Sequence, residues 1–126
     1  MNKGAGIDLP LVSVIDDDVS ARESLEDLVR ELGYATKTFA SGQEFLASGY
    51  MNQSQCLIID VSMPGMSGPD LYRELMARGQ KIPVIFITAH ETAMRPLLLR
   101  QGAIECLTKP FSDTALLTAL NAAIHE

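Results

Sequence analysis

The chemistry-bearing residues of this chain stand at the ends of apolar runs. Leu11-Val12-Ser13-Val14-Ile15 is followed by three carboxylates, Asp16, Asp17 and Asp18. Cys56-Leu57-Ile58-Ile59 stops at Asp60, the run from Ile82 to Ile87 stops at Thr88, and the run from Ile104 to Thr108 stops at Lys109. Neighbouring carboxylates repel. At about 4 Å and an effective dielectric near 20, each pair costs roughly 4 kcal/mol before screening. A hard divalent cation turns that repulsion into coordination, and oxygen ligands suit Mg2+. A carboxylate can also act as a nucleophile, while a hydroxyl and an ammonium can hold phosphoryl oxygens. Brought to one place, these groups are equipment for handling a phosphoryl group beside a hard cation. Taken singly they have plainer roles: Asp60 can hydrogen-bond its own loop, and Asp18 can help cap a helix.

Whether they meet depends on the elements that carry them. The four apolar residues before Asp60 are too few for a helix and suit a strand covered on both faces. Behind Asp60, Pro64, Gly65 and Gly68 bend the chain, Ser67 can cap a helix, and Pro69 and Asp70 suit its first turn. After the first strand, Ser20 with Glu23 reads as a capping box. Leu25, Leu28, Val29 and Leu32 make the apolar stripe of that helix, which stops at Gly33. Arg22, Glu23, Glu26, Asp27, Arg30 and Glu31 fall on its solvated face. Ala35 to Phe39 reads as a short edge strand, and Ser41 with Glu44 opens a short helix that ends by Gly49. A further helix, with its stripe on Leu71, Leu75 and Met76, ends at Gly79. Pro96 suits a first helical turn and not an interior, so the fourth helix should be short and begin near Arg95. Ser112 opens a last helix packed by Leu116, Leu117, Leu120 and Ile124. Strand and helix thus alternate five times, which means a parallel sheet with helices on both faces and right-handed crossovers. The carboxyl edge of such a sheet is where ligands bind, and Asp16, Asp17, Asp60, Thr88 and Lys109 all reach it.

Composition limits the reading. At 126 residues, 47% hydrophobic and 21% charged, the chain is sized for one ordinary globular domain. No apolar run is long enough for a membrane span and no signal peptide precedes the first strand, so the cytoplasm is the expected compartment. A net charge of −6 argues against direct nucleic-acid binding. Cys56 and Cys106 lie in apolar runs, as buried thiols do, and no Cys/His cluster has metal-ligand spacing.

Four pieces of the chain, Val14-Ile15-Asp16-Asp17-Asp18, Asp60-Val61-Ser62-Met63-Pro64-Gly65-Met66-Ser67-Gly68, Ile87-Thr88-Ala89 and Leu107-Thr108-Lys109-Pro110-Phe111, resemble the receiver domain of two-component response regulators. The nearest flavour is that of rhizobial nitrogen-fixation regulators, which many stand-alone receivers share. The resemblance implies a flavodoxin-like, doubly wound (βα)5 fold with a five-stranded parallel sheet of order 2-1-3-4-5. Residues 11–126 would form the receiver, preceded by a flexible segment over 1–10. Asp60 would accept a phosphoryl group from a sensor histidine kinase, Thr88 would bond a phosphoryl oxygen, and Lys109 would pair with its charge. Mg2+ would be held directly by Asp17 and Asp60, through water by Asp16, and by the backbone carbonyl of Ser62. The Lys109-Pro110 peptide would be cis, and side chains at Ser62 and His90 would tune loss of the acyl phosphate. Such a protein is a switch and not a metabolic enzyme, its catalysis confined to its own phosphorylation and dephosphorylation. Its downstream protein partner, or a second copy, would meet the face made by the fourth helix, fifth strand and fifth helix.

Two features depart from that pattern. An aromatic residue is expected three positions before the lysine, and Cys106 stands there. The stretch from Thr88 to Gly102 is about one residue short. On the fourth helix Leu97, Leu98 and Leu99 fan over about 200°, wider than the roughly 100° stripe that packs inward, so at least one should meet solvent. Three other readings compete. A haloacid-dehalogenase-type phosphohydrolase would use Asp16-x-Asp18, but it needs a longer core and usually a cap. A phosphate-independent adaptor would not require the intact acids, Thr88 and Lys109. A flavodoxin would need a hydroxyl- and glycine-rich loop after the first strand. No output domain follows Glu126, so a receiver working alone or a shortened chain is expected.

Overall fold

The computed structural model describes residues 9–90 and 93–125. Five strands, β1 (Leu11–Ile15), β2 (Ala35–Phe39), β3 (Cys56–Asp60), β4 (Val84–Thr88) and β5 (Glu105–Thr108), form one parallel sheet. Its order is β2-β1-β3-β4-β5, the doubly wound, flavodoxin-like arrangement. Helices α1 (Val19–Glu31), α2 (Gly42–Ala47), α3 (Gly68–Ala77), α4 (Met94–Arg100) and α5 (Asp113–Ile124) alternate with the strands. The segment over 1–10 falls almost wholly outside the described residues, as do Glu91 and Thr92 of the loop before α4.

Alternation along each strand divides the core in two. Val12, Val14, Ile58, Ile85 and Ile87 pack on one face against Leu25 and Val29 of α1 and Leu116 and Leu120 of α5. Ile15, Leu57, Ile59 and Phe86 pack on the other against Phe45 of α2, Leu71 and Leu75 of α3 and Leu98 of α4. Both faces are covered, so β3 and β4 read as continuous apolar runs. Cys56 belongs to the first face and Cys106 to the second, and both thiols are free. No described helix is long and apolar enough to cross a membrane.

Several element ends differ from the sequence reading. α1 begins at Val19, and its cap is the Asp18 carboxylate, which accepts from the Ser20 and Ala21 N–H groups at 2.9 and 3.2 Å. Ser20 therefore lies inside the helix and forms no capping box. Ser41 caps α2 by accepting from the Glu44 N–H, but the Glu44 carboxylate returns to the Ala40 N–H one residue earlier than a capping box requires. Ser67 and Asp70 do form the reciprocal box at α3. β4 starts at Val84 rather than Ile82. α4 starts at Met94, which puts Pro96 in its first turn. Leu98 is buried while Leu97 is 43% exposed.

Candidate functional site

Register brings the acids together. Ile15 pairs with Ile59, so the residues that follow, Asp16 and Asp60, leave the sheet side by side at its carboxyl edge. Asp60 pairs with Ile87 and Thr88 with Thr108, placing Thr88 and Lys109 one step beyond. The Lys109 N–H donates to the Thr88 carbonyl at 2.9 Å and ties those two strand ends together. The Lys109–Pro110 peptide is cis.

Carboxylate oxygens of Asp16, Asp17 and Asp60 lie within 4.8 Å of one another. Asp16 is only 2% exposed. Its Oδ1 accepts the Asp18 N–H at 2.9 Å, while Oδ2 is buried with no hydrogen-bond partner among the described residues. An unpaired buried carboxylate oxygen is costly, and a cation among three acids would satisfy it. This donor set, all hard oxygen, fits a divalent cation of the Mg2+ kind.

The field at the site has a definite sign. Burial, followed by the Asp16 charge, raises the Asp60 carboxyl to about 6, against the pull of Lys109 and of the Ser62 N–H that it accepts. Burial likewise raises Asp16, opposed by its bond to the Asp18 N–H and by Lys109. One ammonium thus acts on both acids, which is what an anion arriving among carboxylates needs nearby. Ser62 is exposed beside Asp60, and His90 is exposed beyond β4. Thr88 is 6% exposed, and its hydroxyl donates to the His90 carbonyl at 3.0 Å. The residues the sequence singled out, Asp16, Asp17, Asp60, Ser62, Thr88 and Lys109, therefore all lie at one sheet edge, with Thr88 turned onto the His90 main chain.

Two supporting residues escaped the sequence reading. Arg22, assigned to a solvated face, donates from its guanidinium to the Asp16 carbonyl at 2.7 Å and holds the acidic turn against α1. Gly68, read as part of a bend, has a tighter duty. A Cβ there would stand 2.4 Å from the Asp60 carbonyl oxygen, so only glycine lets the start of α3 approach the end of β3. The glycine at the start of α3 in the quoted motif was the available signal for the second; nothing in the sequence marks the first.

Residues 12–121 match the response regulator receiver domain, nearly the whole described chain. The chain belongs to that family. It is 39% identical over 115 residues to the response regulator protein TodT of Pseudomonas putida, covering 90% of this chain and 51% of TodT. It is 41% identical over 117 residues to nodulation protein W of Bradyrhizobium diazoefficiens, covering 92% of this chain and 52% of that protein. The crystal structure of FixJ-N superposes with a TM-score of 0.84 at 32% identity, covering 95% of this chain and 97% of that one. The chain spans about half the length of the curated relatives it matches. It is a receiver domain of two-component response regulators, similar to regulatory proteins, with an acidic cluster able to hold a metal ion.

Proposed function

We propose that this receiver takes a phosphoryl group from the phosphohistidine of a sensor histidine kinase onto Asp60 and then alters its outer face. The observation that carries this is the convergence of Asp16, Asp17 and Asp60 around an unpartnered Asp16 oxygen, with the Lys109 charge acting on two of them. An Asp60 oxygen forms the new P–O bond as the P–N bond of the donor breaks, and the imidazole nitrogen keeps the bonding pair. Mg2+, held by Asp17, Asp60 and the Ser62 carbonyl and through water by Asp16, would neutralise charge on the phosphoryl oxygens. Lys109 pairs with that charge. Thr88 turns its hydroxyl from the His90 carbonyl to a phosphoryl oxygen, a charge-assisted bond stronger than the one it leaves. Positioning and neutralisation of charge are nearly all that such a transfer asks of a protein.

The site thus serves a switch, with no catalysis beyond its own phosphorylation and dephosphorylation. The partner surface is the α4–β5–α5 face, where Leu97 meets solvent, and its occupant is a downstream protein or a second copy. With a net charge of −6 the domain does not bind nucleic acid itself, and we place its work in the cytoplasm with its kinase. Incubation with acetyl phosphate and Mg2+, followed by intact mass, tests the reading. One phosphoryl group should be retained by the natural protein and none by Asp60→Asn. Retention at a single site in the variant would sink the assignment, and steady release of phosphate without retention would favour the phosphohydrolase.

A further inference from the structure

At Cys106 the outer edge of β5 is closed by side chains. β5 is the last strand of the sheet, and only alternate residues face β4: the Lys109 N–H reaches the Thr88 carbonyl across the ladder. Cys106, out of phase with Lys109, turns its own N–H and carbonyl to the open side. Both are taken. The Cys106 N–H donates to Glu105 Oε1 at 2.9 Å, and Arg95 Nε donates to the Cys106 carbonyl at 3.2 Å. The same Arg95 guanidinium pairs with Glu105 Oε1 at 2.6 Å. Arg95 belongs to the first turn of α4, whose N-cap residue, Ala93, supplies no side-chain cap. The seven-residue α4 is otherwise anchored to the core chiefly by Leu98, with Met94 packed against it.

We propose that Arg95 and Glu105 form a clasp that closes the β5 edge at Cys106 and positions α4, so that this part of the edge and the helix open together. A half-exposed ion pair by itself holds little. This one differs because each partner also closes a main-chain group at Cys106, and an open strand edge invites pairing with another chain. Leu97 lies two residues past Arg95 on the same short helix, so release of the clasp changes the apolar surface offered to a partner. The device rests on the receiver reading only for the event that releases it; its place in the free protein stands independently.

Hydrogen exchange with residue resolution, well below the melting temperature, tests it. In the free protein, Glu105→Ala should speed exchange of the Cys106 amide about tenfold, the effect of removing one charge-assisted bond. Glu105→Gln, which keeps the acceptor oxygen, should leave that amide nearly as slow while loosening α4. Arg95→Ala should speed the amides of Gln101, Gly102 and Ala103, which close the end of α4, several-fold without touching α1 or α5. Arg95→Lys should restore only part of this. With acetyl phosphate and Mg2+, α4 exchange should rise in the natural protein, whereas Arg95→Ala should take up phosphate within about twofold of the natural rate and show no further rise. Unchanged α4 exchange in free Arg95→Ala, or equal loosening of every helix, would overturn the clasp. Failure of the natural protein to retain phosphate would overturn the proposed phosphoryl transfer to Asp60 and leave the free-protein result standing.

Discussion

Removing the charge at Asp60 should stabilise the metal-free protein at neutral pH. Burial and the neighbouring Asp16 lift its carboxyl from an ordinary 3.8 to about 6, so the folded state holds that proton more tightly than the unfolded chain. For a raised acid, the stabilising contribution is complete below about pH 4 and is lost as pH rises through 6. That rise corresponds to about 3 kcal/mol if the group were closed to solvent. Asp60 is only partly buried, and screening reduces the figure to about 1–2 kcal/mol. In a domain of this length 1 kcal/mol moves Tm by about 3–5 °C. Asp60→Asn, a near isostere still able to accept the Ser62 N–H, should therefore melt about 4–8 °C higher at pH 7.5 in EDTA. At pH 4.5 the natural side chain is mostly protonated in the folded state, and the gain should shrink to about a third. With the proposed Mg2+ site at this cluster, the cation should lift the natural protein more than the variant, since a ligand of the folded state alone stabilises it. Thermal melts of both proteins at the two pH values, with and without Mg2+, read all of this. A variant that melts no higher in EDTA at pH 7.5, or whose gain is as large at pH 4.5, would refute the picture of a strained carboxylate at Asp60.

Gly68→Ala should cost about 2–3 kcal/mol in urea unfolding, because the new methyl meets main chain of β3 rather than a side chain able to move; a neutral result would mean that α3 slides freely on the sheet. Arg22→Met, which keeps the aliphatic stem but removes the bond to the Asp16 carbonyl, should weaken Mg2+ binding about fivefold by titration calorimetry with Tm lowered by only a few degrees. Unchanged Mg2+ affinity would leave Arg22 with a purely structural part. Cys56 and Cys106 should stay unlinked on non-reducing peptide mapping, since β4 lies between their strands and they face opposite sides of the sheet.

What could be read from the sequence depended on how local its cause was. Strands buried on both faces announce themselves as unbroken apolar runs, and their ends delivered every acid of the site. Helix ends were legible where one cap competed for the position, as at Ser67. At α1 two candidates existed. Ser20-x-x-Glu23 has the right letters, but Asp18 prevails because the Asp16 carboxylate, by accepting its N–H, folds the turn so that Asp18 enters the helix in extended conformation, φ −85° and ψ 120°. Ile82 and Pro83 fall short of β4, although the Pro83 carbonyl still accepts the Leu57 N–H. Arg22 could not be foreseen, since its target is a main-chain carbonyl that no side-chain pattern encodes. The Arg95–Glu105 pair spans ten positions across two elements, beyond the reach of any periodicity.

The route outward from the site follows from the same difference between side chain and main chain. Cys106 is buried and small, and its side chain has no ring with which to fill or vacate a space. What Cys106 does offer is its peptide, held on the open side by Glu105 and Arg95. At the site itself, the Thr88 hydroxyl is likewise held by a peptide, that of His90, at the start of the loop leading to α4. A group that draws the hydroxyl away leaves the His90 carbonyl without that donor and frees the main chain there to shift. The loop ends at α4, whose first turn is fixed to β5 through Arg95. Hydrogen bonds thus hold both flanks of the stretch before α4, at Thr88 and at the Cys106 clasp, and hydrogen exchange at the two reads whether they move together.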